Sequence, residues 1–378
     1  MATTLTFYPV GNGDTSLIKL QNERWVLMDY RHQAQGEVST TPAIDLQKQL
    51  REELDDAKRN QFDVVAFTHG DEDHVGGSSD FFYLDHATKY QTGKRARIKT
   101  LWVPAAMILD KGADATECDE CDILRQEARY RLKNNSGVRI FSRPKELEAW
   151  LKSAGLTVES RQHLISDAGQ CAPDFTIAAD GVEFFCHSPF VKHCDGGDVQ
   201  RNEAGLVFNV RFEVMGRRIQ YFAIGDADYT VLEDIVGITA YHHNEGRLDW
   251  HLYKAPHHCS YKALSSDKGA KETTPTDSVA SLLKRGQTGG YIVASCNPID
   301  DSREAEDQTL PPHIQAKRCY TTYLGITRGR RVMVTMEEPS RIKPEPLVFE
   351  ITALGLQPLT KARSGAATVV MTSPPRAG

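Results

Sequence analysis

One segment constrains the fold more than any other: the apolar run Phe62-Asp-Val-Val-Ala-Phe-Thr68 leads without a spacer into His69-Gly-Asp-Glu-Asp-His-Val-Gly-Gly77. A continuous apolar run of this length reads as a strand buried on both faces, which requires a parallel sheet covered on each side. Four side chains able to bind a metal, His69, Asp71, Asp73 and His74, then crowd a short loop, and Gly76-Gly77 lets the backbone turn sharply out of it. In extended backbone His69, Asp71 and Asp73 share a face, and the turn brings His74 round to them. Carboxylates packed this closely repel unless cations sit among them, so the loop predicts a metal site.

Two later segments repeat the arrangement. The apolar run 217–224 ends in Gly225-Asp226-Ala227-Asp228, and 250–254 ends in Ala255-Pro-His257-His258-Cys-Ser260. Taken alone, a Gly-Asp or a His-His is more often a surface turn. Three strands that each end in ligand-type residues instead form a row along one sheet edge, where α/β folds keep their sites.

The remaining pattern is α/β. Strands are predicted at 5–8, 16–20 and 24–29 around the turn Gly11-Asn-Gly13-Asp14, and Thr41-Pro42 predicts the start of a helix over 42–58. Helices follow at 119–133, 144–154, 229–236 and 277–284, and strands at 182–187, 205–214, 217–224, 250–254, 291–295 and 330–336. The boundaries predict a single domain over 1–340 with a helix-rich insertion at about 105–175, then a C-terminal strand and Pro-rich tail over 341–378. With 45 Lys+Arg against 51 Asp+Glu in 378 residues, net charge −6, no global attraction to a polyanion exists. Four basic clusters would have to converge to make a groove: Lys94-Arg95 with Arg97 and Lys99, Arg217-Arg218, Arg328 with Arg330-Arg331, and Arg341 with Lys343. No run of 18 apolar residues and no signal-peptide pattern occurs, so a cytoplasmic protein without a membrane partner is expected. The eight cysteines are scattered, which favours reduced thiols, and Cys118-Asp-Glu-Cys121 lacks the second pair that a zinc ribbon needs.

THGDEDHVGG (68–77) resembles the signature loop of the metallo-β-lactamase superfamily, His-x-His-x-Asp-His, and FAIGDAD (222–228) and LYKAPHHCS (252–260) are similar to its later Asp and His motifs in the same order. The resemblance is nearest to the branch typified by the DNA-uptake protein ComEC, in which the second histidine is Asp, as Asp71 is here. FYPVGNGDTSLI (7–18) resembles that branch's glycine-rich hairpin, and Arg201-Asn-Glu-Ala-Gly-Leu-Val its Asn-containing strand. These motifs span residues 5 to about 335. The resemblance implies an αβ/βα four-layer sandwich with His69, Asp71, Asp73, His74, Asp226 and one or both of His257 and His258 as metal ligands. Asp14, Asn202 and Ser260 are weaker candidates beside the site. His187 and His193 lie in the neighbourhood of a further family histidine without its flanks, and Asn202 takes the comparable position.

One or two divalent ions are implied, zinc or manganese ahead of magnesium or iron, because Asp71 in place of a histidine makes the donor set richer in oxygen. Such ions generate hydroxide at neutral pH, with Asp73 orienting it, and His258, its neighbour His257, or His313 of Leu310-Pro-Pro-His313 protonating the leaving oxygen. An anionic substrate suits that charge, so a nuclease or phosphodiesterase acting on nucleic acid or another phosphodiester is the leading expectation. A small-molecule hydrolase for a lactone, thioester or cyclic nucleotide, and a non-catalytic binding or regulatory protein, are the alternatives. Partners in a bacterial defence system are suggested by analogy alone, and the oligomeric state is left open.

Overall fold

The computed structural model describes residues 2–38, 41–110, 119–194 and 202–359. In chain order the first strands are β1 Thr3–Phe7, β2 Ser16–Lys19, β3 Trp25–Met28, β4 Gln61–Ala66, β5 Phe82–Tyr83, β6 Ala96–Pro104, β7 Val138–Phe141 and β8 Ile165–Ser166. There follow β9 Val182–Ser188, β10 Val207–Val214, β11 Arg217–Ile224, β12 Trp250–Lys254, β13 Gly286–Ala294 and β14 Val332–Val334, and the chain closes with β15 Leu347–Thr352 and β16 Gly355–Pro358. Among the described residues these form a ten-stranded sheet in the order β16-β15-β1-β2-β3-β4-β6-β7-β8, with β5 beside β6, and a six-stranded sheet in the order β14-β13-β12-β11-β10-β9.

Three apolar layers show how the sheets stack. Val64 and Ala66 of β4 meet Phe184, Phe208, Tyr221 and Leu252 between the two sheets. Val65 and Phe67 point the other way, onto helices Leu46–Asp56, Asp119–Lys133 and Lys145–Ser153. Ile224, Tyr253 and Ile292 of the second sheet pack under helices Tyr229–Tyr241, Asp277–Leu283 and Ile314–Ile326. Helix, sheet, sheet, helix is the αβ/βα sandwich implied by the sequence, and β4 is buried on both faces as its unbroken apolar run requires.

Several element bounds differ from the sequence reading. The first long helix begins at Leu46, not 42, because the Asp45 carboxylate accepts the Lys48 N–H at 3.0 Å and so caps the helix there. Ile44 N–H is meanwhile drawn to Pro9 O. Leu46, Leu50 and Leu54 then bury one stripe, each contributing about 1.5–3 kcal/mol. The helix at 229 runs on to Tyr241 from its Asp228 cap, β13 starts five residues early, and β14 is shorter than 330–336. Cys118 and the tail from residue 360 lie outside the described residues; Cys121 is buried, and its sulfur accepts from the Arg125 guanidinium.

Strand direction decides where function can sit. β3, β4 and β6 are parallel, as are β11, β12, β13 and β14. The ends of β3, β4, β11, β12 and β13 therefore line one cleft edge and carry Asp29, the 68–77 loop, Asp226, the His257 pair and Ser295. The basic clusters at 94–99, 217–218 and 328–331 lie at the starts of β6, β11 and β14, on the opposite edge. Arg341 is bound to Asp300 and Glu337, and Lys343 is paired with Glu345. The clusters do not converge on the cleft. No helix among the described residues is long and apolar enough to cross a membrane.

The edge strand β9 carries an acid-sensitive residue. His187 is buried, with Nε2 3.1 Å from Arg247 O and Nδ1 3.3 Å from Thr239 Oγ1, and burial pushes its ring down to about 4. The folded protein therefore takes up this proton less readily than the unfolded chain, whose histidine titrates near 6.5. Stability is full above about pH 6.5 and falls towards pH 4, by up to about 3 kcal/mol from this ring. His187→Gln is expected to flatten that part of the pH profile in urea unfolding between pH 7 and 4.5, and an unchanged profile would show that the ring is not responsible.

Candidate metal centre

Thr68, the second residue after β4, organises the loop behind it. Its N–H donates to Asp29 Oδ1 at 2.7 Å and its hydroxyl donates to Asp29 Oδ2 at 2.8 Å. Having given its one proton, the hydroxyl can only accept from His69 Nδ1, 3.1 Å away. His74 Nδ1 lies 2.9 Å from Asp29 Oδ2. Both rings thus carry hydrogen on Nδ1, and their Nε2 atoms face away from the scaffold. This assignment follows from the hydrogen-bond network.

Main-chain bonds hold the neighbouring segments to this frame. Asp29 N–H donates to Ala66 O, Tyr30 N–H to His74 O, Asp14 N–H to Asp73 O, Leu206 N–H to Thr68 O, and His257 N–H to Gly225 O. Extended backbone in the loop ends sooner than the sequence pattern suggests: Asp71 precedes the helical turn Glu72–Val75. His69 and Asp71 consequently share one face, with Nε2 3.6 Å from Oδ2, while Asp73 turns with His74 towards the second sheet.

Four residues converge across the cleft: Asp73, His74, Asp226 and His258 offer ligand atoms that all lie within 4.8 Å of one another. His74 Nε2 is 3.1 Å from Asp226 Oδ1, and His258 Nε2 is 2.9 Å from Asp73 Oδ2 and 3.6 Å from Asp226 Oδ2. His258 Nδ1 donates to Ser295 O at 2.9 Å. His257, His258 and Cys259 all have positive φ, +49°, +51° and +66°. Such backbone costs about 1–2 kcal/mol per residue, and it is what turns His258 inward from the end of β12.

The donor set fits a divalent cation. A ring nitrogen bonded to a carboxylate or carbonyl on one side, with the other nitrogen facing carboxylate oxygens, is the usual dress of a metal-binding histidine, and here it occurs twice. A proton or a cation must lie between each Nε2 and the oxygen it faces. Burial works against the ionised carboxyls of Asp71, Asp73 and Asp226, yet the facing imidazoles outweigh it and hold all three below the usual range. Burial likewise opposes charge on His74 and His258, and Asp226 leads the carboxylates that hold both above the ordinary histidine value. His69 Nε2 is buried without a hydrogen-bond partner, as is Asn202 Oδ1.

The other candidates fall in distinct places. His257 Nε2 is 3.9 Å from Asp226 Oδ2 and its side chain is 26% exposed, so of the pair His258 is the inner member and His257 faces the cleft. Asp14 sits behind His74, its Oδ2 3.7 Å from Nδ1. Ser260 caps the short turn Tyr261–Ala263 by accepting from Lys262 N–H. Both ring nitrogens of His313 are engaged by backbone, Nδ1 by Tyr261 N–H and Nε2 by Thr309 O. His193 pairs with Asp234, and His187 lies against Thr239 and Arg247. Asp29, Thr68, Gly225, Lys254 and Ser295 support the centre without having been singled out in the sequence. Asp29, at the end of an apolar run and at φ +56°, is the one with a legible signal.

No protein-family model and no curated protein matches the sequence. Among solved structures, the unliganded yeast PDE1 is similar with 10% identity and TM-score 0.41, over 88% of this chain and 98% of that one. A diphosphatase from the PhnP family aligns with 11% identity and TM-score 0.32, over 92% and 97%. A quorum-quenching N-acyl homoserine lactone lactonase aligns with 9% identity and TM-score 0.33, over 65% and 90%. Superpositions this loose carry no information on substrate, which must come from the site itself.

Proposed function

We propose that this chain is a metal-dependent hydrolase of phosphodiesters, with the cation held by Asp73, His74, Asp226 and His258 and with His69 and Asp71 beside them. The observation that carries the reading is the convergence, from two sheets, of two imidazole Nε2 atoms on two carboxylates. A divalent ion bound there supplies activation of water at neutral pH and neutralises charge on a phosphoryl group. The residues do the remainder. Asp73, half-exposed at the cleft, orients a water molecule. His257, on the cleft side, is the proton donor to the leaving oxygen; burial holds its ring below the ordinary histidine value, so this step is favoured on the acid side of neutrality. Ser295 and Asp29 keep His258 and His74 in register. Four carboxylates, Asp71 and Asp73 on the loop and Asp226 and Asp29 beneath, make the site rich in oxygen, which suits hard ions and an anionic substrate. This is also the ligand pattern implied by the resemblance to the ComEC-like branch. Three basic clusters lie on the edge away from the cleft and the fourth, Arg341 with Lys343, is paired with acidic groups, which favours a compact phosphodiester over a polymer held in a charged groove.

The test is elemental analysis of the purified protein with a chelator-controlled assay on single- and double-stranded DNA, RNA, a chromogenic phosphodiester and a lactone. Phosphodiester cleavage that chelator removes and manganese or zinc restores is expected. Lactone turnover with every phosphodiester left intact would overturn the reading. His257→Asn is expected to lower kcat by about 10²-fold with an alkyl leaving group, and far less with a nitrophenolate that needs no proton. Metal affinity should stay within about threefold, since His257 is not among the four converging residues. Equal losses for both leaving groups would remove His257 from the proton-donor role.

A further inference from the structure

Behind His74, on the side away from Asp226, lies a buried ion pair that ligand-type motifs do not account for. Lys254 ends β12, where Leu252 and Lys254 face the inter-sheet layer and Tyr253 faces the helices. An ammonium with only 6% of its residue surface exposed has to be matched by charge, and Asp14 supplies it, Oδ2 lying 2.5 Å from Nζ. The two residues come from opposite sheets, Asp14 from the turn between β1 and β2. A cavity of about 10 Å³, the size of one water, is lined by both together with Asp29, Thr68, Tyr221 and Ser295.

Asp14, Asp29 and His74 Nδ1 form a second close group of potential ligands. Within it the two carboxylates are unequal: Asp29 Oδ2 stands 2.9 Å from His74 Nδ1 and Asp14 Oδ2 3.7 Å. Asp14 is tied from two directions, its N–H to Asp73 O and its carboxylate to Lys254. We propose that Lys254 is a positioning residue of the metal centre: it holds Asp14 off His74, so that Asp29 and not Asp14 is the carboxylate that orients the imidazole whose Nε2 faces Asp226. This rests on the metal-binding reading above. Lys254 is buried and tied to Asp14, so it acts through that carboxylate and not on a substrate.

The positioning role and a mere field effect have opposite signs. Removing a positive charge close to a cation site strengthens cation binding if the charge acts through its field alone. If Lys254 acts by holding Asp14, its loss lets two carboxylates compete for one ring and the aim of Nε2 is lost. Manganese and zinc titrations by calorimetry on the full chain distinguish them. Lys254→Met is expected to weaken binding by about 10–100-fold, the usual consequence of losing a group that orients a ligand. Lys254→Gln, which keeps a donor without the charge, should recover most of the affinity, and Lys254→Met with Asp14→Asn should recover it too. Unchanged or tighter binding by Lys254→Met, or a Gln variant as weak as Met, would overturn the proposal. Where Lys254→Met does not fold, the Gln variant and the double variant carry the comparison. A wild-type chain that binds neither ion would instead overturn the metal centre itself.

Discussion

Asp226→Asn is expected to abolish divalent-metal binding in the micromolar range and to lower phosphodiester turnover on the order of 10³-fold, more than the roughly 10–100-fold typical of residues that only support a ligand. Asp226 is the carboxylate that both inner imidazoles face, Oδ1 towards His74 and Oδ2 towards His258. Asparagine keeps the shape but offers one neutral oxygen, and its amide hydrogens point where a cation would sit. The residue is 4% exposed and stands past the end of β11, outside the apolar layers, so the fold should persist, with Tm moving by no more than about 4 °C. Calorimetric titration with manganese and zinc, thermal unfolding, and turnover of a chromogenic phosphodiester check the three parts. Wild-type affinity in this variant would place the metal elsewhere.

Gly225→Ala should damage the same centre without touching any ligand. A Cβ at position 225 would stand 2.7 Å from Thr68 Oγ1 and 2.9 Å from Thr68 Cβ, closer than real Cβ contacts allow. Thr68 is buried and cannot step aside freely, because its hydroxyl and N–H hold Asp29, and its oxygen accepts from His69. Moving it carries Asp29 and hence His74 out of aim. Overpacking of this kind costs about 1–3 kcal/mol, and the loss of orientation should cost about 10–100-fold in metal affinity. A stability loss with unchanged metal affinity would show that Thr68 does not transmit the displacement.

What could be read from the chain depended on how local the signal was. The 62–77 segment declared a doubly buried strand and a loop of candidate ligands, since apolar continuity and acidic crowding are properties of adjacent residues. β6 was not assigned, because Arg97 and Lys99 interrupt its first half with the alternation of a half-exposed strand and only 101–104 is buried throughout. Helix Ile314–Ile326 was missed for a similar reason: it packs under the second sheet through Ile314, Ala316, Cys319, Tyr320 and Leu324, amid lysine, arginine and threonine. The helix start at Leu46 turned on one capping carboxylate, a choice between Thr41 and Asp45 that spacing does not make.

By itself the sequence determined the candidate ligand residues, their order along the chain and the strands that carry them, because these follow from residue chemistry and short-range periodicity. Which member of His257-His258 turns inward was decided only in three dimensions, by three successive left-handed residues after β12. Three of the four basic clusters, at 94–99, 217–218 and 328–331, were likewise placed on the edge away from the cleft by strand direction, which local composition does not encode. The pairing of Lys254 with Asp14 joins residues 240 positions apart across two sheets, and only the packing of one sheet on the other brings them within 2.5 Å.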